Sequence, residues 1–470
     1  MKGSTIKYHL SIFLFLVLGG LGSAEEKAGP KTETSGKPNI IFILSDDLGH
    51  DILHCFGSDQ YQTPNLDALA EGGMKFTHTY AAPLCGPSRA LILTGRYAFR
   101  TGATNQDKTG QFTPEQETMM PKILKPEGYV SAMIGKWGQL PLMPSDFGFD
   151  EYMTFKGSGI YWNTQAKGKE YTLNGQQVAL KDKEYMPDLM HRLIVDFITR
   201  NREKPFYLYY SMSHIHAEIL PTPDSREGAD ENQLYADNVA YHDKLVGQLI
   251  AVLEKMKLRE KTLIVYVGDN GTAKNGAAIS TIGGKKIHGS KGSMMEGGSL
   301  VPMIVNWPGT TPVGKVCTDL VDFSDYVPTF AAVAGAKLPE NVVIDGRSFL
   351  PQIKGEKGTP REWAFVQLAR MWYVRGMNWK LNEKGELYDM SGAPFEEKLI
   401  PADSTDPVAS SERAKLKAAL DQLNPAGGIL DDGDGTGRHG GKAAKKNKRS
   451  EEHTSELQSR QYLVCRLLLE

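Results

Sequence analysis

The run NIIFIL, at residues 39–44, is a short continuous apolar stretch that ends in Ser45, Asp46 and Asp47. An apolar run with polar residues at its carboxyl end is typical of a strand that is buried on both faces of a sheet. The same pattern recurs at residues 206–210, 262–267 and 300–307. Apolar side chains at helical spacing lie between these runs, most clearly in residues 235–257. Strands that alternate with helices predict an α/β fold with a large, mostly parallel sheet flanked by helices.

The polar residues that follow these runs indicate where a site would lie. In open parallel sheets, ligands bind outside the carboxyl ends of the strands. Carboxylate, imidazole and amide side chains follow three of the four runs: Asp46 and Asp47, His214 and His216, and Asp269 and Asn270. We therefore expect these groups to converge at one edge of the sheet.

The pattern changes after residue 361. Closely spaced short runs are typical of antiparallel hairpins, and they occur at residues 363–368, 372–375, 379–382 and 386–388. A helical pattern follows at residues 411–423. We predict a large α/β domain over residues 38–361 and a smaller C-terminal subdomain, an antiparallel sheet plus helix, over residues 362–430.

The two ends of the chain have unusual compositions. Residues 1–24 carry two lysines, an apolar run and then small residues, which is the order of a secretory signal peptide, although an uncleaved membrane anchor is the alternative. Either interpretation predicts an exported, periplasmic or secreted protein. Residues 25–37 are predicted to be a flexible leader and residues 431–448 a disordered tail. Residues 449–459, RSEEHTSELQS, resemble a translated sequencing adapter, so we interpret residues 449–470 as an artefact.

Composition excludes several classes of protein. The 470 residues include 54 Lys and Arg against 56 Asp and Glu, a net charge of −2, whereas nucleic-acid binding by bulk electrostatics needs a basic domain. The apolar run near the N-terminus is short for a membrane span, so no stable span is expected. Four cysteines are too few for a disulfide scaffold. Whether Cys55 and Cys317 pair stays open.

The sharpest motif is Cys85-Gly86-Pro87-Ser88-Arg89, which is followed by Thr94-Gly95-Arg96. Pro87 suits the first turn of a helix, so Cys85 is predicted at a helix N-terminus, where the helix dipole favours anions. A lone cysteine there is also compatible with an unpaired buried thiol. The motif resembles the signature of the formylglycine-dependent (type I) sulfatases, which are arylsulfatase-like members of the alkaline phosphatase-like superfamily. The resemblance implies that a formylglycine-generating enzyme oxidises Cys85 during maturation.

The resemblance extends over residues 38–423 and implies roles for further residues. It implies that residues 38–361 form the catalytic domain and that a calcium ion binds beside the modified residue. The implied metal ligands are Asp46, Asp47, Cys85 in its oxidised form, Asp269 and Asn270; taken alone, an acidic pair after a strand is more typical of a turn than of a metal site. The implied catalytic residues are Cys85, Arg89, Lys136, His216 and Lys291, of which Lys136, His216 and Lys291 also bind the substrate.

In the family mechanism, these residues take part in the hydrolysis of a sulfate ester. The resemblance implies that the hydrated aldehyde at position 85 attacks sulfur, and that calcium, Arg89, Lys136 and Lys291 would stabilise the charge on the sulfuryl oxygens. His216 protonates the departing alcohol oxygen. Sulfate is then expelled and the aldehyde returns. The implied substrate is a sulfate ester, on a carbohydrate or an aryl alcohol.

The sequence departs from the family pattern at two positions. Gly138 replaces the histidine that family members commonly have after Gly-Lys-Trp, and Leu300 replaces an arginine before Val-Pro. His288 and His214 are candidate replacements for the missing histidine. Two alternatives to a sulfatase stay open: a phosphate or phosphonate ester hydrolase that uses the same site, and a catalytically impaired homologue that binds sulfated glycans.

Overall fold

The computed structural model describes Met1 and residues 36–106, 113–138, 140–433 and 435–437. The predicted signal peptide, the leader up to residue 35, the tail from residue 438 and the predicted artefact lie outside the described residues. Asp431, at the start of the predicted tail, is buried and accepts a hydrogen bond from Thr104. No helix in the described part of the chain is long and apolar enough to cross a membrane.

β1 (Asn39–Ser45) lies inside the main sheet, and all seven of its residues are buried. It pairs in parallel with the strands that the second and third predicted runs form, with Ile40 opposite Tyr207 on one side and Leu263 on the other. Because successive side chains point to opposite faces, Phe42 packs into one core and Ile43 into the other. Burial on both faces explains the uninterrupted apolar run.

The main sheet has ten strands within the described residues, in the order β10-β2-β9-β8-β1-β7-β3-β4-β5-β6. The remaining strands are β2 (Met74–Tyr80), β3 (Val130–Gly135), β4 (Glu151–Thr154), β5 (Glu170–Leu173), β6 (Gln176–Ala179), β7 (Phe206–Ser211), β8 (Thr262–Gly268), β9 (Leu300–Asn306) and β10 (Lys315–Asp322). The sheet is mostly parallel, which confirms the predicted α/β class. β9, however, runs antiparallel to β2 and β8, so its first residue, not its last, lies at the edge where β8 ends.

Helices cover both faces of this sheet. The α-helices of the described residues, not all of which lie on this sheet, are α1 (Pro64–Glu71), α2 (Cys85–Thr94), α3 (Ala98–Thr101), α4 (Met120–Leu124), α5 (Met186–Asn201), α6 (Glu231–Lys255), α7 (Lys274–Ile279), α8 (Glu296–Ser299), α9 (Tyr326–Ala334), α10 (Leu350–Ile353) and α11 (Pro407–Leu423). Residues of α1, α5 and α6 share a core with Ile43, whereas residues of α2, α4 and α9 pack on the side of Phe42. α6 begins earlier than predicted because the Asp230 carboxylate accepts a hydrogen bond from Gln233 N at 2.8 Å and caps the helix.

A second, antiparallel sheet follows, as predicted. Its strands are β11 (Ala364–Leu368), β12 (Met371–Arg375), β13 (Trp379–Asn382), β14 (Leu387–Asp389) and β15 (Lys398–Ile400), in sequence order. One face packs against α11, where Leu381 and Leu387 share a core with Leu416. The described residues from 36 to 437 form one compact unit that contains both sheets; the division into two domains at residue 361 stays a prediction.

Candidate active site

Cys85 is the first residue of α2 and is buried at the carboxyl edge of the main sheet. Its Sγ lies 3.4 Å from Asp46 Oδ1 and 3.6 Å from Asp47 Oδ1. Burial raises the pKa of the thiol, and the nearby Asp269 carboxylate adds to that effect. The helix N-terminus and the neighbouring lysines do not overcome these effects. The unmodified side chain is therefore a protonated thiol, not a reactive thiolate.

Three carboxylates surround Cys85. The ligand atoms of Asp46, Asp47, Asp269 and Cys85 all lie within 4.8 Å of one another, and all four residues are buried. β1 and β8 are neighbours in the sheet, so Asp46 and Asp47 after one strand meet Asp269 after the other; Asp47 N donates to Asp269 Oδ1 at 3.0 Å. The predicted convergence at the strand ends is thus observed for these residues.

Asn270 adds an unusual acceptor to this cluster. Its Nδ2 donates to Asp47 Oδ1 at 3.0 Å and to Gly271 O at 2.9 Å, which fixes the orientation of the amide because a flipped group would place oxygen against oxygen. Its Oδ1 is buried and accepts no hydrogen bond from the described part of the chain. A buried carbonyl oxygen without a donor is uncommon and calls for a partner such as an ion.

Three cations balance the three carboxylates. Arg89 Nη2 lies 2.8 Å from Asp269 Oδ2, and Lys136 Nζ lies 2.9 and 2.8 Å from the two oxygens of Asp46. Lys291 Nζ contacts Asp47 Oδ1. All three cationic side chains are largely buried. The cations therefore line the same small volume as Cys85.

The charges shift the carboxyl pKa values in opposite directions. Burial alone would raise the pKa of Asp46, but Lys136 and the other nearby cations outweigh it and lower that pKa. Burial and the Asp46 charge raise the pKa of Asp269 to about 7, against the opposing effect of Arg89. The crowding of negative charge around Asp269 favours an added cation in this cluster.

A family model described as "Sulfatase" matches residues 38–336, and one described as "N-sulphoglucosamine sulphohydrolase, C-terminal" matches residues 288–424. The chain belongs to the sulfatase family. Within that family it is a sulfuric ester hydrolase, with a large, mostly parallel sheet and a small antiparallel sheet.

Individual sulfatases align with most of the chain. N-acetylgalactosamine-6-sulfatase of Canis lupus familiaris is 33% identical over 74% of this chain and 71% of its own. Arylsulfatase D of Homo sapiens is 29% identical over 81% of this chain and 78% of its own. A crystal structure of Ps i-CgsB in complex with k-i-k-neocarrahexaose superposes with a TM-score of 0.70 at 29% identity, covering 83% of this chain and 92% of that one.

The histidines of this sulfatase differ in their surroundings. His216 Nε2 lies 3.9 Å from Asp47 Oδ2, at the rim of the cluster. The buried His214 ring contacts other residues instead. Its Nε2 lies 3.0 Å from the Tyr185 hydroxyl, and the ring packs against His242. His288 Nδ1 faces Glu397 at 3.9 Å. We call Asp46, Asp47, Asp269 and Cys85 the acid cluster. Of the three histidines, His216 is the one that the structure brings to it.

The two departures from the sulfatase pattern have different locations. Gly138 has a φ of +88°, and a Cβ there would lie 3.0 Å from Arg89 Cδ. It therefore adjoins the site, and its backbone conformation disfavours any larger residue. Leu300 begins β9 and packs with Tyr80 and Tyr373 in an apolar cluster between the two sheets.

Two residues near the site were not identified as site residues from the sequence. Ser211, the last residue of β7, accepts a hydrogen bond from Arg89 and donates one to Lys136 O at 2.6 Å. Its position at a strand end is the signal that points to it. Gln106 Oε1 accepts a hydrogen bond from Gly86 N at 3.0 Å, in the first turn of α2; no sequence pattern marks this residue.

Proposed function

We propose that this sulfatase is an exported enzyme that hydrolyses a sulfate ester on a carbohydrate or an aryl alcohol and releases inorganic sulfate. Its nucleophile derives from formylglycine at position 85, and it uses a bound calcium ion. The observation that carries the proposal is the cluster in which Cys85 lies within 4.8 Å of three carboxylate ligand atoms. The order of residues 1–24 supports export.

The donor set fits calcium. Hard divalent cations prefer carboxylate and carbonyl oxygens, and Asp46, Asp47, Asp269 and the Oδ1 of Asn270 supply four such groups. Oxidised Cys85 would add an oxygen in place of sulfur. Calcium bound here supplies positive charge that stabilises the sulfuryl oxygens and favours deprotonation of the nucleophile.

The raised pKa of Cys85 supports a modified nucleophile. A protonated, buried thiol attacks poorly, and attack by an ordinary Ser or Cys would leave a covalent ester that needs separate hydrolysis. A hydrated aldehyde avoids both difficulties. Maturation then requires a formylglycine-generating enzyme as a partner.

The remaining site residues bind the sulfate group and move a proton. Lys136 and Lys291 present ammonium groups beside Cys85 and bind the sulfuryl oxygens. Arg89, held by Asp269 and Lys136 O, keeps positive charge next to the nucleophile. His216 Nε2, at the rim of the cluster, donates a proton to the leaving oxygen.

The comparisons support a carbohydrate substrate. An N-acetylgalactosamine-6-sulfatase is among the relatives, and the superposed structure of Ps i-CgsB holds a neocarrahexaose. Relatives also include steryl-sulfatases, so the assay set pairs sulfated oligosaccharides with 4-nitrophenyl sulfate and steryl sulfate. Comparison with 4-nitrophenyl phosphate separates a sulfatase from a phosphate ester hydrolase that uses the same site.

Mass spectrometry of the tryptic peptide 76–89 tests the proposal directly. The protein is made with and without a co-expressed formylglycine-generating enzyme, and Cys85→Ala serves as the control. We expect formylglycine at position 85 and sulfatase activity to rise together, with about one calcium per chain by metal analysis. An unmodified thiol in fully active enzyme refutes the mechanism, and stoichiometric zinc without calcium refutes the ligand assignment.

Gly138 leads to a kinetic hypothesis about the same reaction. Without the usual histidine near the modified residue, sulfate release is expected to limit turnover. Rapid mixing with an excess of 4-nitrophenyl sulfate should then give a burst of 4-nitrophenol, equal to about one per active site, before the steady state. A linear time course without a burst contradicts this hypothesis, and sulfate-ester binding without any turnover would identify an impaired, glycan-binding homologue.

A further inference from the structure

One loop joins the acid cluster to the second sheet. We call residues 288–296 the lysine loop, because it carries Lys291. On one side, Lys291 N donates to Thr272 O at 2.9 Å and Gly292 N donates to Pro83 O at 2.8 Å, two residues before Cys85. The loop backbone therefore lies directly against the segment that carries the predicted nucleophile.

The second sheet holds the other side of this loop. His288 N donates to Pro394 O at 2.9 Å, and Glu296 N donates to Glu397 Oε1 at 2.6 Å. Lys380 Nζ pairs with the Glu397 carboxylate and also lies 3.3 Å from Met294 O. Both ends of the lysine loop are thus fastened to the connection between β14 and β15, and Lys380 of β13 supports that connection.

A second ion pair reinforces the end of the loop. Arg375 Nη2 lies 3.1 Å from Glu296 Oε1, which also accepts a hydrogen bond from the Tyr80 hydroxyl at 2.7 Å. The charged side chains of the two pairs, Arg375 with Glu296 and Lys380 with Glu397, are at most 4% exposed.

Buried pairs of this kind rarely add net stability over apolar residues of the same volume, because desolvation cancels the attraction between the charges. Buried pairs instead favour one geometry, because their hydrogen bonds form only when the side chains and the backbone that carries them are in one conformation. Here that arrangement determines the path of the lysine loop.

We propose that Glu397, supported by Lys380, is a positioning residue that holds Lys291 against Asp47 and Cys85. The inference rests on the proposed role of Lys291 in binding the sulfuryl oxygens. Glu397 does not touch the acid cluster; it acts through the backbone of Glu296 and the loop that leads to Lys291. The C-terminal sheet is therefore part of the catalytic apparatus.

Four variants test this coupling: the parent, Glu397→Gln, Lys291→Ala and the double variant. All are measured as formylglycine-containing, calcium-loaded enzyme for kcat/KM on 4-nitrophenyl sulfate and for the Kd of inorganic sulfate, with thermal unfolding as the check on folding. Glu397→Gln should lower kcat/KM about tenfold or more, since a displacement of about 1 Å in a positioned group can cost 10²-fold. In the Lys291→Ala background the same substitution should change kcat/KM, or the sulfate Kd where turnover is too low, by less than about twofold.

The neighbouring Glu396→Gln is the matched control, because Glu396 is exposed, and it should leave activity unchanged. If Glu397→Gln fails to fold, Lys380→Met with Glu397→Leu removes both charges together and replaces the first substitution. Equal losses in the two backgrounds, or full activity of a folded Glu397 variant, overturn the inference. Full activity of Lys291→Ala instead refutes the proposed role of Lys291, so the two failures are distinguishable.

Discussion

Asp47 offers the sharpest test of the proposed calcium site. It is buried, its Oδ1 accepts a hydrogen bond from Asn270 and contacts Lys291, and its φ is 57°. Asn and Asp tolerate this left-handed conformation better than other non-glycine residues. Asp47→Asn therefore removes one charge with little backbone strain, whereas Asp47→Ala removes the charge and strains the backbone.

The expected magnitudes follow from these two effects. Changes to groups that only support a metal ligand cost about 10–100-fold in affinity, so loss of one direct carboxylate ligand should weaken calcium binding at least 100-fold, or about 2.8 kcal/mol. Both variants deprive Lys291 of the same carboxylate, so that cost cancels between them. Asp47→Ala should unfold more easily than Asp47→Asn by at least about 1–2 kcal/mol, because it adds the cost of a left-handed conformation and also loses the oxygen that accepts from Asn270.

Calcium titration calorimetry measures the first effect, and urea unfolding in the presence of a chelator measures the second. Asp403→Asn, an exposed substitution in a turn, is the control for loss of one negative charge. If Asp47→Asn binds calcium within about threefold of the parent, the cluster is not the calcium site. If the two variants are equally stable, the left-handed backbone at position 47 has no measurable cost.

Three further predictions concern stability. Arg361 Nε lies 2.8 Å from Asp325 Oδ1 and both side chains are buried, so Arg361→Met should lower the free energy of unfolding by about 3–5 kcal/mol in urea titrations. Burial lowers the pKa of His242 to about 3. Its contribution to stability is therefore complete above the unfolded pKa of about 6.5 and is lost as the pH falls, by about 2 kcal/mol at pH 5; His242→Phe should remove that part of the pH dependence. Gly138→His should cost about 1–2 kcal/mol in the same urea assay, because φ at that position is +88°.

Each of these predictions has a clear contrary outcome. A loss below about 1 kcal/mol in Arg361→Met would show that Asp325 does not remain a buried, unpaired charge. An unchanged stability profile between pH 7 and pH 5 in His242→Phe would assign the acid sensitivity to other groups. A Gly138→His variant as stable as the parent would mean that the backbone relaxes freely beside Arg89.

The central strands were predictable because they are buried on both faces, which leaves an uninterrupted apolar run in the sequence. β2 was not predicted, because its run MKFTHTY mixes polar and apolar residues. The antiparallel direction of β9 was not predicted either, since a buried run has the same pattern in both directions. Strand direction is set by pairing with β2 and β8, which no local pattern records.

In the site, too, positions given by a local sequence pattern were predictable, whereas contacts between distant parts of the chain were not. The strand-end pattern predicts that Asp46, Asp47 and Asp269 meet at one edge of the sheet, and the resemblance to the sulfatase family implies that Cys85 joins them. His214 and His216 are two residues apart in one turn, and no spacing rule says which ring faces the carboxylates. The ties between the lysine loop and the second sheet join residues that are 79 and 101 positions apart, and they became visible only in the folded chain.

The hydrogen bond between Asp47 and Asp269 joins residues 222 positions apart. An ion shared by these two residues would act as a cross-link that closes nearly half of the 470-residue chain into one loop. The two residues come together only when β8 has paired with β1. Calcium binding during refolding would therefore report that these two central strands have paired. It would also make the free energy of unfolding rise with the logarithm of the free calcium concentration, so that the folded chain would last longest where calcium is abundant.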